Sequence, residues 1–302
     1  MSLPDRKIYV QKPKETRLLS TKANKALELL PESDWIYQTK HDGCSMMILV
    51  GVNIVRIFSR EGKECFSMPH VAESVRLRSA PNMVYFAEAW HPDVPFAEVS
   101  GEFRRGAAKA EGFLEAWLYD SVTLQEFRLG VSERPYSERY AACNELRWSI
   151  HDAADKDVIQ VVPCADVVTT LAENVEHIRK TYGLLYQLDG YMKKQRNAGW
   201  VAGDDSEGRT LKLKDKISVD LKCVGFVEGR GKFAGMVGAP LVEWRGDVVP
   251  IGGGKLTNDD RRNPERFVGK IVEVHALTIT PDGQLREPVY QRVRDDKTEP
   301  SE

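Results

Sequence analysis

The run Trp35-Ile36-Tyr37-Gln38-Thr39-Lys40-His41-Asp42-Gly43 decides how the rest of the chain reads. Three large apolar residues open a strand. The strand delivers a single lysine, and Asp-Gly then turns the chain sharply, glycine allowing a close backbone approach. A lysine at a strand end is ordinarily a surface residue whose stem lies along apolar neighbours. To act as a nucleophile its amine must shed a proton, which a free pKa of about 10.4 makes rare at neutral pH. Partial burial or a neighbouring cation makes it accessible. The meaning of Lys40 is therefore set by what else the chain carries.

With 302 residues the chain is long enough for two domains with cores of their own. Hydrophobic residues make up 42% and charged residues 29%, the balance of a globular protein. The formal net charge of −2 advertises no nucleic-acid partner, although it leaves room for a local basic groove. The five cysteines form no C-x-x-C pair, which excludes a cysteine zinc ribbon and fits free thiols in a reducing compartment. The polar start lacks an apolar signal core, and the most apolar run, 46–55, is too short to span a bilayer. A cytoplasmic monomer with no membrane association is expected.

Outward from Lys40, Thr21 to Leu30 has helical spacing, with Ser20 or Thr21 as cap and Pro31 as stop. Residues 45–50 and 54–59 form a hairpin around Gly51-Val52-Asn53. Strands are expected over 83–90, 113–122, 158–162, 188–194 and 210–214. Helices are expected over 136–150 and 171–182. After Lys216 the texture changes to long strands, glycine-rich turns and one short polar helix near 258–267, closed by strands over 268–279 and 287–293. This pattern predicts a small β-barrel of the OB type, so the chain divides into residues 1–216 and 217–302. Gly252-Gly253-Gly254-Lys255 lacks phosphate-loop spacing and reads as a tight barrel turn.

Six further elements carry chemistry-bearing residues. Ser59-Arg60-Glu61-Gly62 follows a strand, and its arginine is either a surface charge or an anchor for a ribose or phosphate. Phe86-Ala87-Glu88-Ala89-Trp90 places a carboxylate inside an apolar strand, costly unless it is hydrogen-bonded or paired. Trp117-Leu118-Tyr119-Asp120 offers an aromatic for core packing or for stacking on a base. Asp189 to Lys194 puts an acid and lysines on one strand. Lys212-Leu213-Lys214 sets two ammonium groups on one strand face, which repel unless an anion or solvent intervenes. Arg292-Val293-Arg294-Asp295-Asp296-Lys297 is a charged tail when read alone.

Taken in order, these elements resemble the covalent nucleotidyltransferases, specifically the small bacteriophage-type ATP-dependent DNA ligases. The K-x-D-G of that family is matched at Lys40, its S-R-x-G at Ser59 to Gly62, and its G-E element at Ala87-Glu88. The aromatic–aspartate element falls at Tyr119-Asp120, and E-G-x-x-x-K at Asp189 to Lys194 with aspartate for glutamate. K-x-K is found at Lys212 to Lys214, and R-x-R-x-D-K at Arg292 to Lys297. Residues 95–101 with Arg104-Arg105 also look like a phage-ligase segment. The resemblance spans about 22–297. Two departures stand beside Lys40: Gln38 where the family often has glutamate, and Ser45 where it often has arginine.

The resemblance implies an α+β adenylation domain of antiparallel sheets with flanking helices, followed by an OB-fold domain with a hinge near 215–217. It implies that Lys40 takes AMP from ATP, passes it to the 5′-phosphate of a nick in duplex DNA, and that the 3′-hydroxyl then seals the strand. Gln38 and Thr39 would contact adenine, Tyr119 would stack on it, and Arg60 and Glu88 would hold the ribose. Lys212 and Lys214 would sit on the α-phosphate, Lys194 would also bind the nucleotide, Arg294 and Lys297 would orient pyrophosphate, and Asp189 and Glu88 would be carboxylates for Mg2+. Arg104, Arg105, Lys109, Arg230, Lys232, Arg261 and Arg262 would touch DNA phosphates. An RNA ligase, an mRNA guanylyltransferase, and a nick-binding protein without catalysis are the alternatives.

Overall fold

The computed structural model describes residues 2–15, 19–149, 158–166, 188–213, 216–280 and 282–301. The chain divides into two compact units, Met1–Leu213 and Lys214–Glu302. The expected helix over 171–182, Lys214 and Asp215 of the expected hinge lie outside the described residues. Among the described residues, no helix is long and apolar enough to cross a membrane.

Two large sheets, with two small two-stranded ones beside them, build the described part of the first unit. In the four-stranded sheet, Trp35–His41 lies between Cys164–Asp166 and Leu188–Gln195, with Thr210–Leu213 at the far edge, all antiparallel. The six-stranded sheet runs in the order Glu64–Cys65, Val55–Ser59, Cys44–Val50, Met83–Trp90, Glu115–Thr123, Ile159–Val161; only its last pairing is parallel. The Asp42-Gly43 turn carries the chain from one sheet into the other, so Lys40 stands at their junction.

The apolar alternation of these strands explains the layers. Met46, Ile48, Ala87, Leu118 and Leu146 are buried in one core with the Pro69–Arg78 helix. Met47, Leu49, Phe86 and Trp200 fill the opposite face of the same sheet with Tyr9 and Phe127. Trp35, Tyr37, Tyr191 and Leu211 cover the outer face of the four-stranded sheet under Leu27 of the Thr21–Glu28 helix. That helix starts where expected, with the Ser20 side chain accepting the Ala23 N–H at 3.2 Å.

The second unit is a five-stranded antiparallel sheet in the order Asp247–Pro250, Val237–Trp244, Ile217–Glu228, Ile271–Ala276, Val289–Val293. Its core of Val219, Leu221, Trp244, Phe267 and Val274 is separate from those of the first unit. Gly252 bridges to Val289, which places the glycine run in a turn against the last strand. The expected polar helix is shorter, Asn258–Arg262, followed by a 3-10 turn at Pro264–Arg266 because Pro264 supplies no N–H to continue it. The strand expected over 268–279 is two pieces, Ile271–Ala276 and Thr278–Ile279.

Candidate active site

Register places Gln38, Met192 and Lys212 opposite one another, so alternation gives one face of the four-stranded sheet to Gln38, Lys40, Met192, Lys194 and Lys212. On the six-stranded sheet, Ser45, Glu88 and Trp117 are paired across three strands and share a face. A bulge opposite Phe86 and Ala87 adds Tyr119 as an extra residue, which re-aims its ring. The two faces meet. Lys194 Nζ donates to the Tyr119 carbonyl at 3.1 Å, and its ammonium stands 4.9 Å from the Tyr119 ring centroid and 4.4 Å from that of Tyr136.

The turn after Lys40 is fixed by packing. A Cβ on Gly43 would lie 2.4 Å from the Ala89 carbonyl and 2.8 Å from Glu88 Cγ, so no larger residue fits. The His41 ring lies 4.4 Å from the Trp90 ring and 4.7 Å from the Trp117 ring. Burial, reinforced by the adjacent Lys40 charge, brings the His41 pKa down to about 3, so the imidazole is a neutral wedge. This wedge is a supporting element that sequence reasoning missed.

Glu88 is partly buried and receives the Gly43 N–H. Burial pushes its pKa up to about 7, against the pull of Lys40 and Arg60. The Tyr119 hydroxyl lies 3.2 Å from Ser45 Oγ. Ser45 therefore holds the aromatic ring rather than offering a cation. Lys194 is only 4% exposed. Burial brings its pKa down to about 8, with the Asp120 carboxylate resisting. Asp120 is itself held by buried Arg139, whose Nε and Nη2 donate to it at 2.9 and 3.1 Å. Arg139 and Asp120 are inward partners that the sequence left unassigned.

The groove contains an unmet polar demand. Gln38 is 1% exposed, and among the described residues neither its amide nitrogen nor its amide oxygen has a hydrogen-bond partner. The Cys164 thiol is paired opposite it; burial pushes that thiol up to about 11, with the Gln38 amide pulling the other way. Buried amides in proteins are almost always satisfied, so an amide facing the groove in this state fits a ligand that presents both a donor and an acceptor. The Thr39 hydroxyl is also buried and has no partner among the described residues, but alternation puts it on the outer face beside Tyr37. Only its backbone is placed to serve the groove.

Arg60 sits on the tight Ser59–Gly62 turn, closed by Gly62 N–H to the Ser59 carbonyl at 2.9 Å; Gly62 has φ +86°, a conformation that favours glycine. The Arg60 side chain is 61% exposed and lies 3.3 Å from Glu61. Lys212 lies 3.7 Å from Glu15. Asp189 belongs to the Leu188–Gln195 strand, and its side chain lies outside the description. Among the described residues no three His, Cys, Asp or Glu side chains cluster as a metal site.

In the second unit, Arg294 and Lys297 are committed to acids of their own domain. Arg294 Nη1 donates to both Asp220 oxygens at 3.0 and 2.9 Å, and its Nε and Nη2 donate to Asp296 at 2.8 and 2.7 Å. Lys297 Nζ donates to Asp220 at 2.5 Å and to Ser301 at 2.8 Å. Of the expected DNA contacts, Arg104, Arg105, Lys109, Arg230, Lys232 and Arg262 are exposed. Arg261 is turned inward: its Nη1 donates to the Val237 and Gly238 carbonyls at 2.7 and 3.0 Å, tying the short helix to a strand.

Comparison with known proteins agrees with this layout. Residues 228–294 match the family model described as the DNA ligase OB-like domain. Across the whole chain, the structure of "ATP-dependent DNA ligase from bacteriophage T7 complex with ATP" aligns with a TM-score of 0.55 at 16% identity, covering 95% of this chain and 98% of that one. This chain has the fold of the ATP-dependent DNA ligases. A structure from the study of "Lig E DNA ligases" aligns with a TM-score of 0.70 at 18% identity, over 94% of this chain and 98% of that one. The structure named "Pmar-Lig_Pre." aligns with a TM-score of 0.75 at 22% identity, over 96% of this chain and 68% of that one. None of the curated protein sequences matches the chain. The ligase fold therefore accounts for both units.

Proposed function

We propose that the protein is an ATP-dependent DNA ligase that seals nicks in duplex DNA through a covalent AMP adduct on Lys40. The observation that carries this reading is the groove. Lys40 stands at the turn between the two sheets, in a groove with a buried amide (Gln38), an oriented aromatic (Tyr119) and a partly buried carboxylate (Glu88). The ligase fold and the OB-like match support the same assignment.

In the first step Lys40 Nζ, having lost its proton, attacks the α-phosphorus of ATP; a P–N bond forms and pyrophosphate leaves. Gln38 reads the adenine edge: its amide oxygen accepts from the exocyclic amine and its amide nitrogen donates to a ring nitrogen. Tyr119 packs against the base, supported from below by the Lys194 ammonium. Glu88 and Arg60 hold the ribose, and Lys212 exchanges Glu15 for a phosphate oxygen. Lys194, bonded to the Tyr119 carbonyl, would serve nucleotide binding by supporting the Tyr119 platform. The 5′-phosphate of a nick then takes AMP from Lys40, and the 3′-hydroxyl displaces AMP to close the strand. Positioning and charge neutralisation carry such transfers. Mg2+ would neutralise phosphate charge; Glu88 and Asp189 would approach it, with the nucleotide phosphates and water supplying most ligands.

Contacts to DNA would be mainly to phosphates, so binding weakens as salt rises. Arg104, Lys109, Arg230, Lys232 and Arg262 remain candidates on exposure; Arg294 and Lys297 would reach pyrophosphate only after leaving Asp220. The test is sealing of a 5′-phosphorylated nick in duplex DNA with ATP and Mg2+, run beside GTP and beside an RNA nick. Sealing of DNA with ATP is expected. Labelling by GTP in preference to ATP would point to a guanylyltransferase, and preference for the RNA nick to an RNA ligase.

A further inference from the structure

Next to Lys40 the first unit carries a cleft of about 460 Å³, lined at its inner end by Gly43 and Ser45, on one wall by Ser59, Arg60 and Lys63, and on the other by Arg104 to Gly106. Its charges are unequal. Lys63 and Arg104 make no ion pair among the described residues, and Arg60 pairs there with exposed Glu61. Glu64 is committed to Arg56, which donates to it at 2.7 and 2.5 Å. The cleft is cationic, and Phe66, which also lines it, leaves 57% of its surface exposed.

The outer wall is a loop, 104–110, whose residues are exposed except Ala110. Rich in glycine and alanine, it has little apolar surface with which to anchor itself. Its anchor is Glu102, 1% exposed in the last turn of the Phe96–Phe103 helix. One carboxylate oxygen accepts the Glu111 and Gly112 N–H groups at 2.6 and 2.9 Å; the other accepts Arg105 Nη1 at 3.0 Å. Both ends of the loop are thus fastened to one buried carboxylate. Arg105 also pairs with Glu111, so it is a strut of the loop. Burying an ionised carboxylate is costly unless it is fully hydrogen-bonded, and here the bonds serve only to shape an exposed cationic loop. A loop ordered beforehand loses less entropy when it binds.

We infer that this cleft takes the phosphate backbone of the nicked strand beside Lys40, and that Glu102 is the positioning residue that sets its outer wall. Arg104 and Lys63 are the phosphate contacts, and Arg105 acts through the loop. The inference rests on the ligase reading and deepens it by assigning the strand a place.

The experiment compares wild type, Glu102→Ala, Glu102→Gln, Arg104→Ala and Lys63→Ala. It measures binding to a nicked duplex as a function of salt, AMP uptake from ATP without DNA, and thermal melting. Glu102→Ala is expected to raise the Kd several-fold and to flatten the slope of log affinity against log salt by about one. AMP uptake should fall by less than the Kd rises. Glu102→Gln keeps an oxygen for the two N–H groups and should recover part of the loss. Arg104→Ala should show the same slope change, and combining it with Glu102→Ala should cost less than the product of the two. Unchanged Kd and slope in Glu102→Ala would overturn the positioning role, as would parallel losses of melting temperature, AMP uptake and affinity with an unchanged slope. Normal affinity in both Arg104→Ala and Lys63→Ala would overturn the cleft as the strand site. Wild type that takes up no AMP would instead overturn the ligase reading itself.

Discussion

The groove around Lys40 and the cluster around Asp220 handle their polar groups in opposite ways. In the groove, a buried amide has no hydrogen-bond partner among the described residues, a lysine is 4% exposed, and a carboxyl is held up to about 7. Lys194 is partnered by Tyr119 and Tyr136, so the unmet demand lies with the Gln38 amide. In the cluster, Asp220 gathers Arg294, Lys297 and Ser301, and Asp296 takes the rest of the Arg294 guanidinium. This set is satisfied without a ligand. A site built on unmet polar demand binds by filling it, whereas one already satisfied acts only by exchanging partners. The difference separates a recognition site from a set of cations that must be released before use.

After Lys40 itself, the largest expected effect from breaking the groove is at Lys194. Lys194→Met keeps the stem and removes a buried charge, so the fold should survive. Tyr119 loses its cationic support, and AMP uptake should fall by about 10- to 100-fold, as charge-assisted bonds worth about 1.5–3 kcal/mol imply. Quench-flow labelling with ATP measures this; an unchanged rate would leave Lys194 a purely structural residue.

Glu88 gives a pH test of the same region. Its pKa in the folded protein, about 7, lies above the ordinary value of 4.5, so the native state favours the protonated form. Its stabilising contribution is full below about 4.5 and is lost as pH rises through about 7. Glu88→Gln stays neutral. Its stability relative to wild type should therefore grow between pH 5 and pH 8, by about 1–2 kcal/mol after allowing for the partial solvation of the carboxyl. Denaturant titrations at the two pH values read this difference directly, and a constant difference would contradict the assignment.

The smallest effect is expected in the cluster. Asp220→Asn weakens the hold on Arg294 and Lys297 while keeping an acceptor. If release limits their use, AMP uptake should rise about fivefold, the equivalent of about 1 kcal/mol, at some loss of melting temperature. A fall in both would make Asp220 a structural anchor only.

Much of this was legible in the sequence because it depends on local order. The Trp35–His41 strand, the hairpin at Gly51, the Met83–Trp90 strand and the change of texture near residue 216 all follow from alternation and turn chemistry. Gly43 was read as a close-approach glycine, and the space beside Ala89 is that tight. The departure at Ser45 was visible, but its bond to Tyr119 was not, since a bulge in a strand some 70 residues away sets it. The wedge of His41 between Trp90 and Trp117 leaves no periodic trace for the same reason. Three helices went unread, at Pro69–Arg78, Phe96–Phe103 and Leu124–Leu129, because they are short and carry mixed polarity. Thr39 looked like a groove residue by adjacency to Lys40, yet the two-residue period of a strand turns its side chain the other way. Arg261 was expected to touch a DNA phosphate, but two backbone carbonyls capture it.

The central claim is that Lys40 is the residue that takes AMP. The most direct measurement is intact and peptide mass spectrometry after incubation with ATP and Mg2+ without DNA, on wild type, Lys40→Ala and Lys194→Met. The account predicts one AMP on wild type, mapped to the peptide containing Lys40 and discharged by pyrophosphate or by a 5′-phosphorylated nick. It predicts none on Lys40→Ala and a slower but intact adduct on Lys194→Met. An AMP adduct that persists on Lys40→Ala, or that maps to Lys194 or Lys212 in wild type, would contradict it.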